Sequence, residues 1–86
     1  MRVLDASLLS IAPNPARVTV SLALEGAAAG DRPVRFSIHN LLGQELWSAR
    51  SASGREEVWL SGWLAGAYIA RAESAGGVAA RVFVKE

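Results

Sequence analysis

Apolar and polar residues alternate along three separate stretches of the chain. Val18, Val20, Leu22 and Leu24 are interleaved with Arg17, Thr19, Ser21 and Ala23. Val34, Phe36 and Ile38 alternate with Arg35, Ser37 and His39. Val78, Ala80, Val82 and Val84 alternate with Ala79, Arg81, Phe83 and Lys85. A period of two is the strand signal, and one apolar face per segment describes sheets packed on one side only. The pattern predicts that Val18, Val20, Leu22, Val34, Phe36, Ile38, Tyr68, Val82 and Val84 are buried.

Turn residues divide the chain between these stretches. Pro13-Asn14-Pro15 ends a first strand near Ser7–Ala12, because neither proline can donate to a ladder. Gly26 to Pro33, rich in alanine and glycine, reads as a loop. Asn40-Leu41-Leu42-Gly43 reads as a tight turn, with Asn bonding its own backbone ahead and Gly43 supplying a positive φ. It leads into a fourth strand over Gln44–Arg50. Ser51–Arg55 is a second turn, followed by a strand at Glu56–Leu60. Gly62 and Gly66 bracket a bend before a strand at Ala67–Ser74, and Ala75-Gly76-Gly77 makes a hairpin into the last. Gly66 and the absence of a 3.6 period argue against helix over residues 63–72. About seven short strands with turn signals every 8–12 residues predict an all-β, immunoglobulin-like antiparallel β-sandwich.

The chain has 86 residues, enough for a single domain spanning 1–86 and one small core. A formal net charge of +1, with acids and bases mixed, gives no electrostatic footprint for nucleic acid or an anionic membrane. The chain contains no cysteine, so it has neither a disulfide framework nor a thiolate metal site. Met1-Arg2-Val3-Leu4-Asp5 lacks a signal-peptide core, and Pro13 and Pro15 break the longest uncharged stretch near the front. Any entry signal is therefore expected elsewhere in a longer precursor.

Candidate chemistry is sparse. His39, on the polar face of its strand beside Arg35 and Ser37, has neither a nucleophile nor an orienting acid in sequence reach. Asp5 and Asp31 have no acidic neighbours, and Glu56-Glu57 point to opposite faces of a strand. No phosphate-cradling loop and no metal-ligand spacing occurs, so neither an enzyme nor a cofactor is expected. Trp47, Trp59 and Trp63 are either packing residues or an exposed aromatic platform for a sugar or a protein partner.

Four elements in order resemble the C-terminal sorting domain of type IX secretion, type A. They are Ile11-Ala12-Pro13-Asn14-Pro15-Ala16, then the strand–turn–strand from Val34 to Leu46, then Trp63-Leu64-Ala65-Gly66-Ala67-Tyr68-Ile69-Ala70-Arg71, and finally Arg81-Val82-Phe83-Val84-Lys85-Glu86. The resemblance covers nearly the whole chain. Asn40 stands where the family usually has aspartate and Gln44 where it usually has a basic residue. Trp63 replaces the usual leucine, which assigns it a core role. Pro13, Asn14, Pro15, Gly43, Gly66 and Tyr68 are read as structural motif residues, with the tyrosine hydroxyl bonding back to the bend.

The resemblance implies a secretion signal that addresses its cargo across the outer membrane. Its implied partners are the type IX translocon and a sortase-type protease that removes the domain, with the cargo ending secreted or at the cell surface. Arg81, Val82, Val84 and Lys85 are the candidate recognition residues. Ending at Lys85-Glu86, just past the last strand, fits a C-terminal signal. The alternatives are an immunoglobulin-like carbohydrate-binding or spacer module of a secreted hydrolase, and a structural domain like that of flagellar hook-capping proteins.

Overall fold

The computed structural model describes residues 2–25 and 33–86. The loop expected over Gly26–Pro33 lies outside them except for Pro33, as does Asp31. A single 3-10 turn, Ala6–Leu8, precedes seven strands: β1 Leu9–Ala12, β2 Thr19–Leu24, β3 Val34–His39, β4 Glu45–Ser51, β5 Arg55–Trp59, β6 Gly66–Ser74 and β7 Gly77–Lys85. They form a three-stranded sheet, β1-β2-β5, and a four-stranded sheet, β4-β3-β6-β7. Every pairing between these strands is antiparallel. This is the expected immunoglobulin-like sandwich.

The inner faces supply the core. Leu9, Val20, Leu22, Leu24 and Val58 come from one sheet; Val34, Phe36, Ile38, Tyr68, Ala70, Ala72, Ala79 and Phe83 come from the other. Large and small residues alternate across the second sheet. Phe36 lies opposite Ala72, and Ile38 opposite Ala70. Tyr68 lies beside Phe83, their rings stacked with centroids 5.8 Å apart. Fully burying each large apolar side chain contributes about 1.5–3 kcal/mol, so these few residues carry much of the stability of so small a domain.

Three expected core residues lie outside. Val18 is exposed because β2 begins one residue later, and the alternation becomes structural only from Val20 onward. Val82 and Val84 are 57% and 43% exposed, while Phe83 between them is fully buried. The register of β7 is therefore opposite to the one its valines suggest. The hairpin pairs Ser74 with Gly77, leaving a two-residue loop, so inward-facing Tyr68 stands directly opposite Phe83. A loop one residue longer would have set Tyr68 against Val84, because a one-residue slip moves every side chain to the other face.

β7 is an edge strand, and the N-terminal segment covers both of its ends. Val3 bridges Val78, with Leu4 N–H donating to the Val78 carbonyl at 2.7 Å and Val78 N–H to the Arg2 carbonyl at 2.9 Å. Ala16 bridges Lys85 through bonds of 2.8 Å to Val84 and from Glu86. Partial covering of this kind blunts an edge against unwanted strand pairing. Gly77 is required by close approach: a β-carbon there would collide with the Arg2 carbonyl oxygen.

Candidate recognition surface

The motif residues divide between two regions. The first is the last strand and the loop that meets it. Both peptide bonds preceding Pro13 and Pro15 are cis, and the Asn14 side-chain oxygen between them accepts from Val84 N–H at 3.1 Å. The opening Pro-Asn-Pro and the closing strand, 70 residues apart in sequence, are thus bonded to each other. Arg17 reaches Glu86 at 3.1 Å, an exposed pair that adds little stability.

The four candidate recognition residues do not share one face. Val82 and Val84 lie on the outer face of the four-stranded sheet, paired with Ile69 and Ala67. Arg81 and Lys85 have the parity of Phe83 but sit at the rim. Arg81 donates to the Leu9 carbonyl at 3.1 Å, tying β7 to the opposite sheet, and the Lys85 ammonium donates to the Glu86 carbonyl at 3.0 Å. Arg81 is thus half structural, whereas the two valines are free of any role in the core.

The second region is the end of the sandwich where the β3–β4 turn meets the bend before β6. Asn40 organises the turn. Its side-chain oxygen accepts from the N–H groups of Leu42 and Gln44, both at 3.0 Å, and its amide donates to the Gln44 side chain at 3.0 Å. Gly43 closes the turn at φ +85°, where a β-carbon is strained, and its N–H bonds the Asn40 carbonyl. His39 supports the same turn from its half-buried position, with Nε2 3.0 Å from the Ser37 hydroxyl and Nδ1 3.4 Å from the Gly43 carbonyl. Gly66 has φ +147°, and Tyr68 donates its hydroxyl to the Leu64 carbonyl, fixing the bend as a tyrosine corner. Trp63 packs on Tyr68 with ring centroids 5.4 Å apart.

Trp47 and Trp63 pack against the core, while Trp59, on the other sheet, is 67% exposed. The three therefore do not make a common aromatic platform. Glu56 and Glu57 face opposite sides of β5, opposite Leu22 and Ser21 respectively. Among the described residues no group of three or more His, Cys, Asp or Glu side chains is placed to hold a metal ion, and no helix is long and apolar enough to cross a membrane. Asp5 caps the 3-10 turn. The backbone N–H and then the hydroxyl of Ser7 hold its carboxyl below the usual carboxylate range.

Alternation alone does not reveal the exposure of Val82 and Val84; the signal that could have is Phe83, a larger apolar residue on the opposite face of the same strand.

No curated protein matches the chain. A solved structure described as PorZ, an essential bacterial surface component of the type IX secretion system of Porphyromonas gingivalis, resembles it with a TM-score of 0.72 at 17% identity. The likeness covers 91% of this chain but only 11% of that one, so it speaks to fold alone. The family described as the secretion system C-terminal sorting domain matches residues 10–86, from the strand before Pro-Asn-Pro through the last strand, Tyr68 included. This family is a sorting-signal family rather than a catalytic one, and the chain belongs to it: it is a type IX secretion C-terminal sorting domain.

Proposed function

We propose that the whole 1–86 unit acts as one address label at the end of a longer cargo protein. The cargo passes through the periplasm, the outer-membrane translocon of the type IX system reads the folded domain, and a sortase-type protease then removes it. Reading takes place at β7. Val82 and Val84 supply the apolar contact on its outer face, and Arg81 and Lys85 flank it with positive charge.

The observation that carries this reading is the exposure of Val82 and Val84 on the last strand of a domain that belongs to a C-terminal sorting family, whose match runs through that strand. Valines that the core does not use favour burial by a partner, since apolar groups removed from water are stabilised wherever the removal occurs. The adjacent Ile69 and Ala67 extend the same stripe across β6.

The test is a periplasm-directed reporter carrying the domain at its C-terminus in a type IX-competent host. Val82→Ser with Val84→Ser is expected to leave the fold intact and abolish surface delivery. Arg81→Ser with Lys85→Ser is expected to reduce delivery less, with a lowered melting temperature from loss of the Arg81–Leu9 bond. Normal export of the valine variant would refute reading at β7.

A further inference from the structure

The outer face of the four-stranded sheet holds an arginine whose buried nitrogen the domain leaves unbonded. On β6, Tyr68, Ala70 and Ala72 are buried, so Ile69, Arg71 and Glu73 point to the outer face. Arg71 lies between Ser37 of β3 and Ala80 of β7, its register partners on either side. Its Nε is out of reach of solvent. Among the described residues it is the only buried side-chain nitrogen or oxygen without a hydrogen-bond partner. Glu73 stands two residues along on the same face, opposite Arg35, yet no ion pair joins it to either arginine. Arg35 is taken by Glu45 at 2.7 Å, and Arg50 lies one strand further away, on β4. Buried donors are bonded in the large majority of cases, because an N–H removed from water without replacement destabilises the fold. Arg71 thus rests in a position that works against stability.

The surroundings define what would satisfy it. Exposed Ala80 stands opposite Arg71, and exposed Val82 is its diagonal neighbour across β6 and β7, within reach of so long a side chain. A guanidinium presents Nε–H and one terminal N–H side by side, the pair that a carboxylate accepts together. Lifting the side chain off the sheet breaks no hydrogen bond at Nε, so that pair is free for an arriving group. An ion pair left open to water contributes little. Apolar contact on Val82 and Val84 excludes the water, and a partner without the acid then leaves a cation dehydrated and unpaired. One unpaired cation beside valine, isoleucine and alanine matches one acid set among apolar side chains. A lipid surface is instead drawn to several clustered basic residues.

We infer that Arg71 sets the specificity of the face read in sorting. A protein partner seated on Val82 and Val84 presents an aspartate or glutamate side chain that accepts from the Nε–H and a terminal N–H of Arg71. This rests on the reading at β7 proposed above and adds the partner's chemistry.

The experiment places Arg71→Met and Arg71→Lys on the same periplasm-directed reporter, beside the Val82→Ser, Val84→Ser pair. Methionine keeps an unbranched apolar stem and removes the unbonded N–H, so the purified Arg71→Met domain is expected to melt at or above the parent temperature. Its surface delivery is expected to fall about tenfold or more, with Arg71→Lys between it and the parent, because lysine keeps the charge but not the paired donors. Steady or raised stability with failed delivery is the opposite of what a merely structural arginine gives. Parental delivery of Arg71→Met, with the valine pair defective, overturns the carboxylate contact and leaves reading at β7 standing. A melt well below the parent, with delivery falling in step, makes Arg71 a structural residue and overturns the contact as well. Normal delivery of the valine pair brings down reading at β7 and this contact together. In flotation with phosphatidylglycerol vesicles the parent domain is expected to stay unbound. Co-flotation that Arg71→Met abolishes would make lipid phosphate the occupant and overturn the protein carboxylate.

Discussion

The β3–β4 hairpin and the β6–β7 hairpin show how differently two turns can be legible. At Asn40–Gly43 the residues name the geometry: an Asx side chain bonds ahead and a glycine takes the positive φ. At Ala75–Gly76 the glycine-rich sequence admits a loop of two residues or of three. Apolar residues also stand on both faces of the strand that follows, Val82 and Val84 on one and Phe83 on the other. Alternation locates a strand but does not orient it when both faces are apolar. The orientation comes from the partner strand, where Tyr68 already faces inward, and from the loop count.

The largest expected effect sharpens that contrast. Phe83→Ala is expected to cost about 3–5 kcal/mol, whereas Val82→Ala should cost less than about 1 kcal/mol. Chemical denaturation of both variants measures it, and equal losses would mean that the valines face the core after all. Next come the two turns' glycines. Gly77→Ala should cost about 1–3 kcal/mol and release Arg2–Leu4 from β7, because its β-carbon meets backbone. Gly43→Ala meets no neighbour and should lose only the φ penalty, about 1 kcal/mol. Hydrogen exchange at Val78 N–H, accelerated in the first variant and not in the second, separates them.

Most of the architecture was legible from residues alone. Turn chemistry marked out seven strands, and the tyrosine corner followed from Tyr68 two residues beyond Gly66. The bond joining Asn14 to Val84 was not legible, since no local pattern records a contact across 70 residues. Nor was the covering of β7 by Val3 and Ala16, which sets single residues against an edge. Resemblance to the family points to Arg81, Val82, Val84 and Lys85 together, and only the fold separates Val82 and Val84, which face out, from Arg81, which is bonded to Leu9.

Smaller effects probe that long-range stitching. Asn14→Ala removes one hydrogen bond to β7 and should cost about 1 kcal/mol, with faster exchange confined to the Val84 end of the strand. Asp5 gives the smallest expected effect. Its folded carboxyl titrates below the unfolded value of about 3.9, so its contribution is present above that pH and fades as pH falls through the lowered value. In Asp5→Asn the slight loss of melting temperature relative to the parent should therefore be seen at pH 6 and vanish toward pH 2.

If this domain alone addresses a cargo for type IX export, its transfer to another protein must carry the address with it. The decisive experiment fuses the unaltered domain to the C-terminus of a periplasm-directed reporter and locates that reporter in two isogenic hosts, one competent for type IX secretion and one lacking the translocon. Protease added outside intact cells, or the culture medium itself, reveals exported reporter. Export in the competent host and retention in the periplasm of the other are expected. The same location in both hosts would contradict this reading.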